Sequence, residues 1–396
     1  MKQELIIKSL PQAFDLVKQM GLSEDWESDY RVGGRRAIQE IVEGQMRDRI
    51  DRHLEEIRGL GESDRRNGGF SRHLLTELGD IELRVPRTRR FSALGVVRAY
   101  ARRAVSVDRM ILCCFALGLS TRKVAQALLP VLGEPVSATT VSRVSRSLDR
   151  AVEAFHRRPL KRRYRFLILD GVVLKRRTGA GSVKRVALVA LGITAEGKKE
   201  VIDFAIAQGE SEWAWQRFLC DLYRRGLDEE GLEMIVTDGG RGLLSALALV
   251  YPGVEIQRCW AHKSRNVLDY VRKADQKRVK SDLHRISRAQ SLKRAQRALG
   301  RFCSRWKELY PKAVRCLLSD EEDLLSFYKI KQASVWPQIR TTNAIERRFK
   351  EVRRRTRPME TFSDRTSMER ILYAVFSYEN LRQTTSTPFL AVTQNC

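Results

Sequence analysis

From residue 161 the chain leaves helical periodicity for a run of strands, and this stretch limits the possible folds more than any other. RFLILDGVVL (165–174) is an apolar run broken by one acid. VKRVALVALGIT (183–194) and KEVIDFAIA (199–207) follow at hairpin spacing, with the Gly-bearing turns TGAGS and AEGKK between them. A helix is predicted from Ser211, with Trp215, Phe218, Leu219 and Leu222 on its buried face. EMIVTDGG (233–240) is a strand ending in an acid, and a helix at 241–250 and a short strand at 254–258 complete the set. Three antiparallel strands are therefore expected, then helix, strand, helix, strand, in one mixed sheet.

Two acids stand out in this pattern. Asp170 closes the apolar run FLILD, and Asp238 closes MIVTD ahead of two glycines. A carboxylate in such a place is costly to bury unless it is paired or holds a metal. The glycines allow a tight exit and close approach of a ligand or backbone. Either Asp taken singly is read as well as an N-cap for the segment after it. As a matched pair delivered to one sheet edge, they suit hard, oxygen-seeking cations such as Mg²⁺. This strand order is that of an RNase H-like α/β domain.

A third acid comes from far along the chain. TTNAIERRFKEVRRRTR (341–357) holds seven basic residues and two acids in 17 positions. Ile345, Phe349 and Val352 form an apolar face, and Glu346 lies at its border beside Arg347, Lys350 and Arg354. A docked helix of this kind could bring Glu346 to a metal while its flank holds phosphate. A plain Glu346–Lys350 surface pair fits the same spacing. Three carboxylates suit phosphodiester chemistry, in which two cations about 4 Å apart activate the attacking oxygen and stabilise the leaving one. Water as nucleophile gives cleavage, and a 3′-hydroxyl gives joining.

Upstream, residues 34–60 are predicted as one helix with Ile38, Ile41, Val42, Met46, Ile50, Leu54 and Ile57 on one face. Residues 1–30 are moderately polar, without a clear pattern. RNGG (66–69) signals a turn, and 70–85 a hairpin about Gly79-Asp80, closed by Pro86 and the basic run RTRR. Residues 109–150 contain a helix-turn-helix candidate. Ser120 caps TRKVAQALLPVL, Gly133-Glu134-Pro135 makes the break, and Ser137 caps ATTVSRVSRSL. Val141, Val144 and Leu148 share one face of that last helix, and Thr139, Arg143, Arg146 and Arg150 the other. An Arg/Thr front on an apolar back suits a helix in the DNA major groove, and also an ordinary solvated helix. The expected organisation is an N-terminal helix and hairpin region (1–103) and a helix-turn-helix region (104–160). The catalytic core follows in two parts, 161–262 and 336–396, with an all-helical insertion at 263–335 between them.

The charge balance narrows the partner. Lys and Arg number 74 against 48 Asp and Glu, a formal net charge of +26. Self-repulsion on this scale calls for a polyanion, and nucleic acid is the first candidate. No apolar run is long enough to span a bilayer, and no basic amphipathic anchor is evident, so a membrane partner is not expected. The N-terminus carries no secretory pattern, and seven irregularly spaced Cys fit a reduced compartment, so a cytoplasmic protein is expected.

The segments LDG (169–171), TDGGRGLLSALALVYP with QRCWAHKSRN (237–266) and TTNAIERRFKEVRRRTRPMETF (341–362) resemble the Mutator-type bacterial insertion-sequence transposases, of the DDE class. RNGGFSRHLLTELGDIELRVPRTR (66–89) is similar to their N-terminal region, and ALGLSTRKVAQALL with VSATTVSRV (116–144) to their helix-turn-helix. The resemblance covers most of the chain from about residue 35. It implies that Asp170, Asp238 and Glu346 are the catalytic acids, holding two Mg²⁺ or Mn²⁺ ions, with Asn343, Cys259 and His262 in support. The Arg/Thr front of the capped helix and the basic flank of 342–357 make Thr139, Arg143, Arg146, Arg347, Lys350, Arg354 and Arg355 the expected DNA contacts. The resemblance also implies strand cleavage at the terminal inverted repeats of a mobile element and 3′-OH transfer into target DNA. The expected setting is a homodimer or higher oligomer on the bacterial nucleoid, with no small-molecule substrate.

Cys259-Trp260-Ala261-His262 is half a zinc site, and Cys303, Cys316 and His284 offer no matching spacing. Trp213 and Trp215 are expected in the core, and Trp260 and Trp336 are candidates for base stacking. Two other functions remain consistent with parts of the sequence. A non-catalytic helix-turn-helix regulator would account for the charge, and a nuclease or resolvase of the same fold for the acids.

Overall fold

The structure is a computed structural model, and it describes residues 24–97, 103–132, 136–160 and 164–382. The described residues divide into two compact units. The first runs to Phe115 and resumes over Ser120–Val144, and the second comprises Ala116–Leu119 and the chain from Ser145 onward.

In the first unit, helix α1 spans Glu24–Gly59, some ten residues longer at its start than its apolar pattern suggested. Met46 and Ile50 are fully buried and pack with Ile38, Val42 and Leu54 onto Ile81, Leu83 and Val85. These α1 residues recur every four positions, one stripe of a helix. Ile41 falls off that stripe and is exposed, contrary to expectation. The hairpin joins β1 (Arg66–Thr76) to β2 (Gly79–Thr88). RNGG is not a turn but the start of β1, with an irregular register between Arg66 and Gly69. The reversal falls at Glu77-Leu78, and Gly79 takes the positive φ of 110° that it requires.

Helices α2 (Val105–Ala116), α3 (Thr121–Leu132) and α4 (Ala138–Ser145) follow. The expected Gly133-Glu134-Pro135 break lies outside the described residues, as do 98–102, 1–23 and the last 14 residues. Both serine caps form: Ser120 Oγ accepts from the Lys123 N–H at 3.4 Å, and Ser137 Oγ from the Thr140 N–H at 3.1 Å. Val124, Leu128, Leu132, Val141 and Val144 are buried, and Thr139 and Arg143 are exposed. The single helix expected over 138–148 is two helices, because α4 ends at Ser145 and α5 (Leu148–Arg157) begins after Ser147. Serine hydroxyls compete for backbone groups and favour helix ends over interiors. Arg146 therefore lies in the turn between them, exposed, rather than on the α4 face.

The second unit is built on a five-stranded mixed sheet of order β5-β4-β3-β6-β7. The strands are β3 (Tyr164–Thr178), β4 (Gly181–Thr194), β5 (Lys199–Ala207), β6 (Met234–Thr237) and β7 (Glu255–Arg258). β3, β4 and β5 are antiparallel neighbours, and β6 and β7 join in parallel, as the spacing predicted. Helices α6 (Glu212–Arg224) and α7 (Arg241–Val250) cover one face, where Leu167, Leu169, Leu188 and Ala190 meet Trp215, Leu219, Leu222, Leu243 and Leu247. Side chains alternate across a strand, so Phe166, Ile168 and Asp170 point to the other face. That face is closed by α15 (Arg365–Leu381), whose Phe376 ring lies 5.6 Å from Phe204 of β5.

Between β7 and the last pair of helices the chain is helical. Helices α8 (Trp260–Leu268), α9 (Lys273–Ser287), α10 (Leu292–Trp306), α11 (Pro311–Leu318), α12 (Glu321–Leu325) and the short α13 (Trp336–Ile339) occupy it. Helix α14 (Asn343–Thr356) then returns to β3. No described helix is long and apolar enough to cross a membrane.

Candidate active site

Asp170 is not at the end of its own strand but midway along it. β3 continues to Thr178, whereas its parallel neighbour β6 stops at Thr237, paired with Leu169. The carboxylate reaches the sheet edge because the neighbour ends. It is 9% exposed, and its Oδ1 accepts the Gly171 N–H at 2.8 Å. Burial pushes the carboxyl up to about 7 against that hydrogen bond, and the charges of Asp238, Glu210 and Glu346 act in the same direction.

Asp238 follows β6 directly. Its Oδ1 accepts the Gly240 N–H at 3.0 Å, so it also organises the turn into α7. The glycine between them is required twice over. Gly239 has φ +84°, and a Cβ there would stand 0.7 Å from Arg258 Nη1, on a guanidinium held by Asp320 at 2.9 Å.

Glu346 arrives in the first turn of α14, whose Ile345, Phe349 and Val352 are buried as the pattern predicted. Its ion-pair partners among the described residues are His262 Nε2 at 3.0 Å and Arg265 Nη2 at 3.1 Å. Asp170, His262 and Glu346 each bring one potential ligand atom to within 4.8 Å of the others, the one such metal-compatible group among the described residues. Asp238 is near enough for its charge to act on both Asp170 and His262. Two acids far apart in sequence, Asp170 and Glu346, therefore meet beside His262, while Asp238 stands outside that group and reaches it by its charge.

The Cys259/His262 pair has a mechanical explanation. Cys259 is buried, and its Sγ accepts from the Thr342 N–H at 3.2 Å and from the Thr342 hydroxyl at 3.3 Å. The Trp260 N–H donates to the Arg340 carbonyl at 3.0 Å. These bonds dock residues 340–342 against the start of α8, just ahead of the helix that carries Glu346. One turn later in α8, His262 meets Glu346 itself. Cys303, Cys316 and His284 do not join Cys259 in any metal-compatible group among the described residues.

A divalent cation fits the residues present. The donors are mostly carboxylate oxygens, the preference of Mg²⁺ and Mn²⁺. Like charges gather there without enough cationic side chains to ease the burial of Asp170. His262 Nδ1 is also buried without a hydrogen-bond partner, and burial pushes the imidazole down toward its neutral form.

Along α14, Arg347, Lys350, Arg353 and Arg354 are exposed, and Asn343 is exposed at its first position. Arg355 departs from the expected DNA-contacting set. It is 2% exposed, pairs with Glu351, and lies 5.2 Å over the Tyr378 ring. It falls on the apolar side of the helix, three residues after Val352. Trp215 is buried as expected, but Trp213 is 66% exposed. Trp260 is no stacking platform: it is buried, with Nε1 donating to the Leu324 carbonyl at 2.7 Å. Trp336 is half-buried, edge-on to Tyr328, and donates to the Ile330 carbonyl at 2.8 Å.

The sequence reading missed Glu210. It stands one residue before the α6 N-cap Ser211 and resembles an ordinary acid at a helix start. In the structure its charge acts on Asp170, and burial, with the charge of Asp238, pushes its own carboxyl up.

The family model described as Transposase, Mutator family, matches residues 16–383. The transposase for insertion sequence element IS905 of Lactococcus lactis subsp. lactis (strain IL1403) is 31% identical over 371 residues, 93% of both chains. The transposase for ISRM5 of Rhizobium meliloti (strain 1021) is 29% identical over 354 residues, 87% of this chain and 88% of the relative. The transposase for IS256 in transposon Tn4001 of Staphylococcus aureus is 32% identical over 315 residues, 78% of this chain and 80% of the relative. With a family match over residues 16–383 and relatives aligned over 78–93% of its length, the chain belongs to the Mutator family of transposases.

Proposed function

We propose that this transposase cuts DNA at the terminal inverted repeats of an insertion sequence and joins the freed 3′-OH ends to target DNA. In this reading the five-stranded unit is an RNase H-like domain of the DDE class, with Asp170, Asp238 and Glu346 as its acids. The observation that carries it is the meeting of Asp170, from the middle of a strand, and Glu346, from a distant helix, with His262 within 4.8 Å, beside the strand end that bears Asp238, whose charge helps push Asp170 up to about 7. A structural carboxylate would be expected to have a cationic partner, and a buried one without such a partner marks a functional site.

Asp170, Asp238 and Glu346 would hold two Mg²⁺ or Mn²⁺ ions. When bound, such ions activate an attacking oxygen and stabilise a leaving one. The side chains around them have separate tasks. His262 orients Glu346 through Nε2, and Cys259 fixes the segment that leads into its helix. Arg265, at the rim and exposed, and the Arg347/Lys350 face of α14 would hold the phosphate backbone beside the acids. The serine-capped pair α3 and α4 would read the element's ends as a helix-turn-helix, with Thr139 and Arg143 toward the bases and Arg146 toward phosphate. Assembly on two DNA ends would take at least a dimer, in the bacterial cytoplasm.

The test is to incubate the protein with Mg²⁺, a pre-cleaved element end bearing a 3′-OH, and a supercoiled plasmid. Covalent joining supports the proposal. Nicking without joining would make it a nuclease, and binding alone a regulator.

A further inference from the structure

Trp213 stands in the first turn of α6 and is 66% exposed, while Trp215, two residues on, is buried against the sheet. One exposed tryptophan is ordinary on a protein surface. The surroundings set this one apart. The guanidinium of Arg217, one turn later, lies 5.5 Å over its ring. Arg224, two turns further on, falls on the same helix face. All three line an open cavity of about 870 Å³ that α6 forms with β5 and the start of α15. Such a volume holds a ligand of nucleotide size. Phe204 and Phe218, both buried, give the cavity an apolar lining. Its acids are already engaged: Asp203 and Asp221 by Arg225, and Glu369 by Arg365. Arg217 and Arg224 are exposed and form no ion pair among the described residues. The link from β5 to α6 also lines the cavity, through Gln208, Gly209 and Ser211. That link borders the acidic edge. A Cβ on Gly171, the residue after Asp170, would collide with the Glu210 carboxylate. A Cβ on Gly242, in the first turn of α7, would stand 2.7 Å from the Glu212 nitrogen.

We propose that this cavity takes an unpaired nucleotide of the DNA strand that passes the acidic edge. Its base stacks on Trp213, and the phosphates beside it are held by Arg217 and Arg224. This rests on the reading of the acidic edge as the centre that cuts and joins DNA. A flat apolar base joined to an anionic phosphate matches an aromatic cavity with unpaired arginines at its rim. Bases within a duplex show only their edges in the grooves, so an open indole face selects a base that has left its partner. Tryptophan and arginine also anchor contacts between proteins, but a protein surface would not call for two unpaired cations beside a DNA-cutting edge.

The test is fluorescence anisotropy of the full-length protein, with a chelator present, on two labelled probes: a thymidine oligonucleotide of about 12 residues and its abasic counterpart, which keeps the backbone alone. Thermal unfolding checks the fold of each variant. The parent should prefer the thymidine probe, by roughly five- to hundredfold for one stacked base. Trp213→Ala should lose that preference and keep the parent's affinity for the abasic probe. Trp213→Phe, which restores a ring face, should recover most of it. Arg217→Ala with Arg224→Ala should weaken both probes and flatten the salt dependence by up to about 1.4 units, since single strands contribute about 0.7 per phosphate contact. A Trp213→Ala variant that keeps the parent's preference overturns the inference, as does equal loss in Trp213→Phe. A DNA-free oligomer that Trp213→Ala dissociates, with the preference intact, would assign the cavity to a second copy and overturn it too. Strand joining by Asp238→Asn tests the catalytic reading separately, because no metal enters the binding assay. If Asp238→Asn fails to join while Trp213→Ala binds as the parent does, the cavity's role falls and the metal-centre reading stands. If Asp238→Asn joins normally while Trp213→Ala loses the preference, the cavity's role stands and that reading falls.

Discussion

Replacing Asp170 with Asn isolates the cost of burying this carboxylate. Its carboxyl rises from an ordinary 3.8 to about 7 in the folded chain, chiefly by desolvation. A folded value above the unfolded one means that the native state binds the extra proton between those two pH values. Stability contributed by the neutral form is then present below about 4 and is lost as pH rises through 7. The difference of about 3 units corresponds to about 4 kcal/mol at pH 8, and to roughly 2 kcal/mol at pH 5, where the neutral form still dominates in the native state. The Asn amide oxygen can keep the 2.8 Å hydrogen bond from the Gly171 N–H. In metal-free buffer, Asp170→Asn should therefore stabilise the protein, and by more at pH 8 than at pH 5. Denaturant titration of the unit that carries the sheet, at both pH values and with a chelator present, measures this. Adding Mn²⁺ at pH 8 should stabilise the parent and leave the variant nearly unmoved. A variant that is less stable than the parent at pH 8 without metal would refute the reasoning, because Asp170 would then be a satisfied structural acid.

Arg143→Ala with Arg146→Ala should weaken binding to terminal-repeat DNA without changing thermal stability, and an unchanged footprint would count against α3 and α4 as the reading element. Arg347→Ala with Lys350→Ala should flatten the salt dependence of DNA affinity by up to about 2 units if both touch phosphate. Arg355→Ala should act differently, costing roughly 3 kcal/mol of stability through the buried pair with Glu351; a salt-slope change without destabilisation would reverse that assignment. Cys259→Ala should remove the acceptor for the Thr342 N–H and hydroxyl, costing about 1–3 kcal/mol and slowing strand joining. Cys259→Ser should recover most of both, and equal loss in the two variants would point to the thiol's size instead.

The sheet was legible because strand spacing and local turns dictate antiparallel pairing, and because the apolar runs of β3, β4 and β6 have no competing helical period. The apolar stripe of α14 likewise announced the docking of Glu346. What escaped the sequence was set by partners distant along the chain. Arg355 looked like one more basic residue until Glu351 and the ring of Tyr378 enclosed it. Trp260 looked like a stacking surface until the Leu324 carbonyl took its indole N–H. Glu210 could not be told from a helix-start acid without knowing that Gly171 and Gly242 lie against it. The break between α4 and α5 was hidden by an unbroken helical period across Ser145 and Ser147, since an apolar pattern does not mark a two-residue turn inside it.

The most direct measurement of the central claim is strand transfer by Asp238→Asn. The substitution keeps the side chain's shape, and its amide oxygen can still accept the Gly240 N–H, so folding and end binding should persist. With a pre-cleaved 3′-OH end, Mg²⁺ and plasmid target, we expect the parent to give joined product. The variant should bind the end with the parent's affinity and give no joined product above background. Joining by Asp238→Asn at the parent's rate would contradict the assignment of the acidic edge as the catalytic centre.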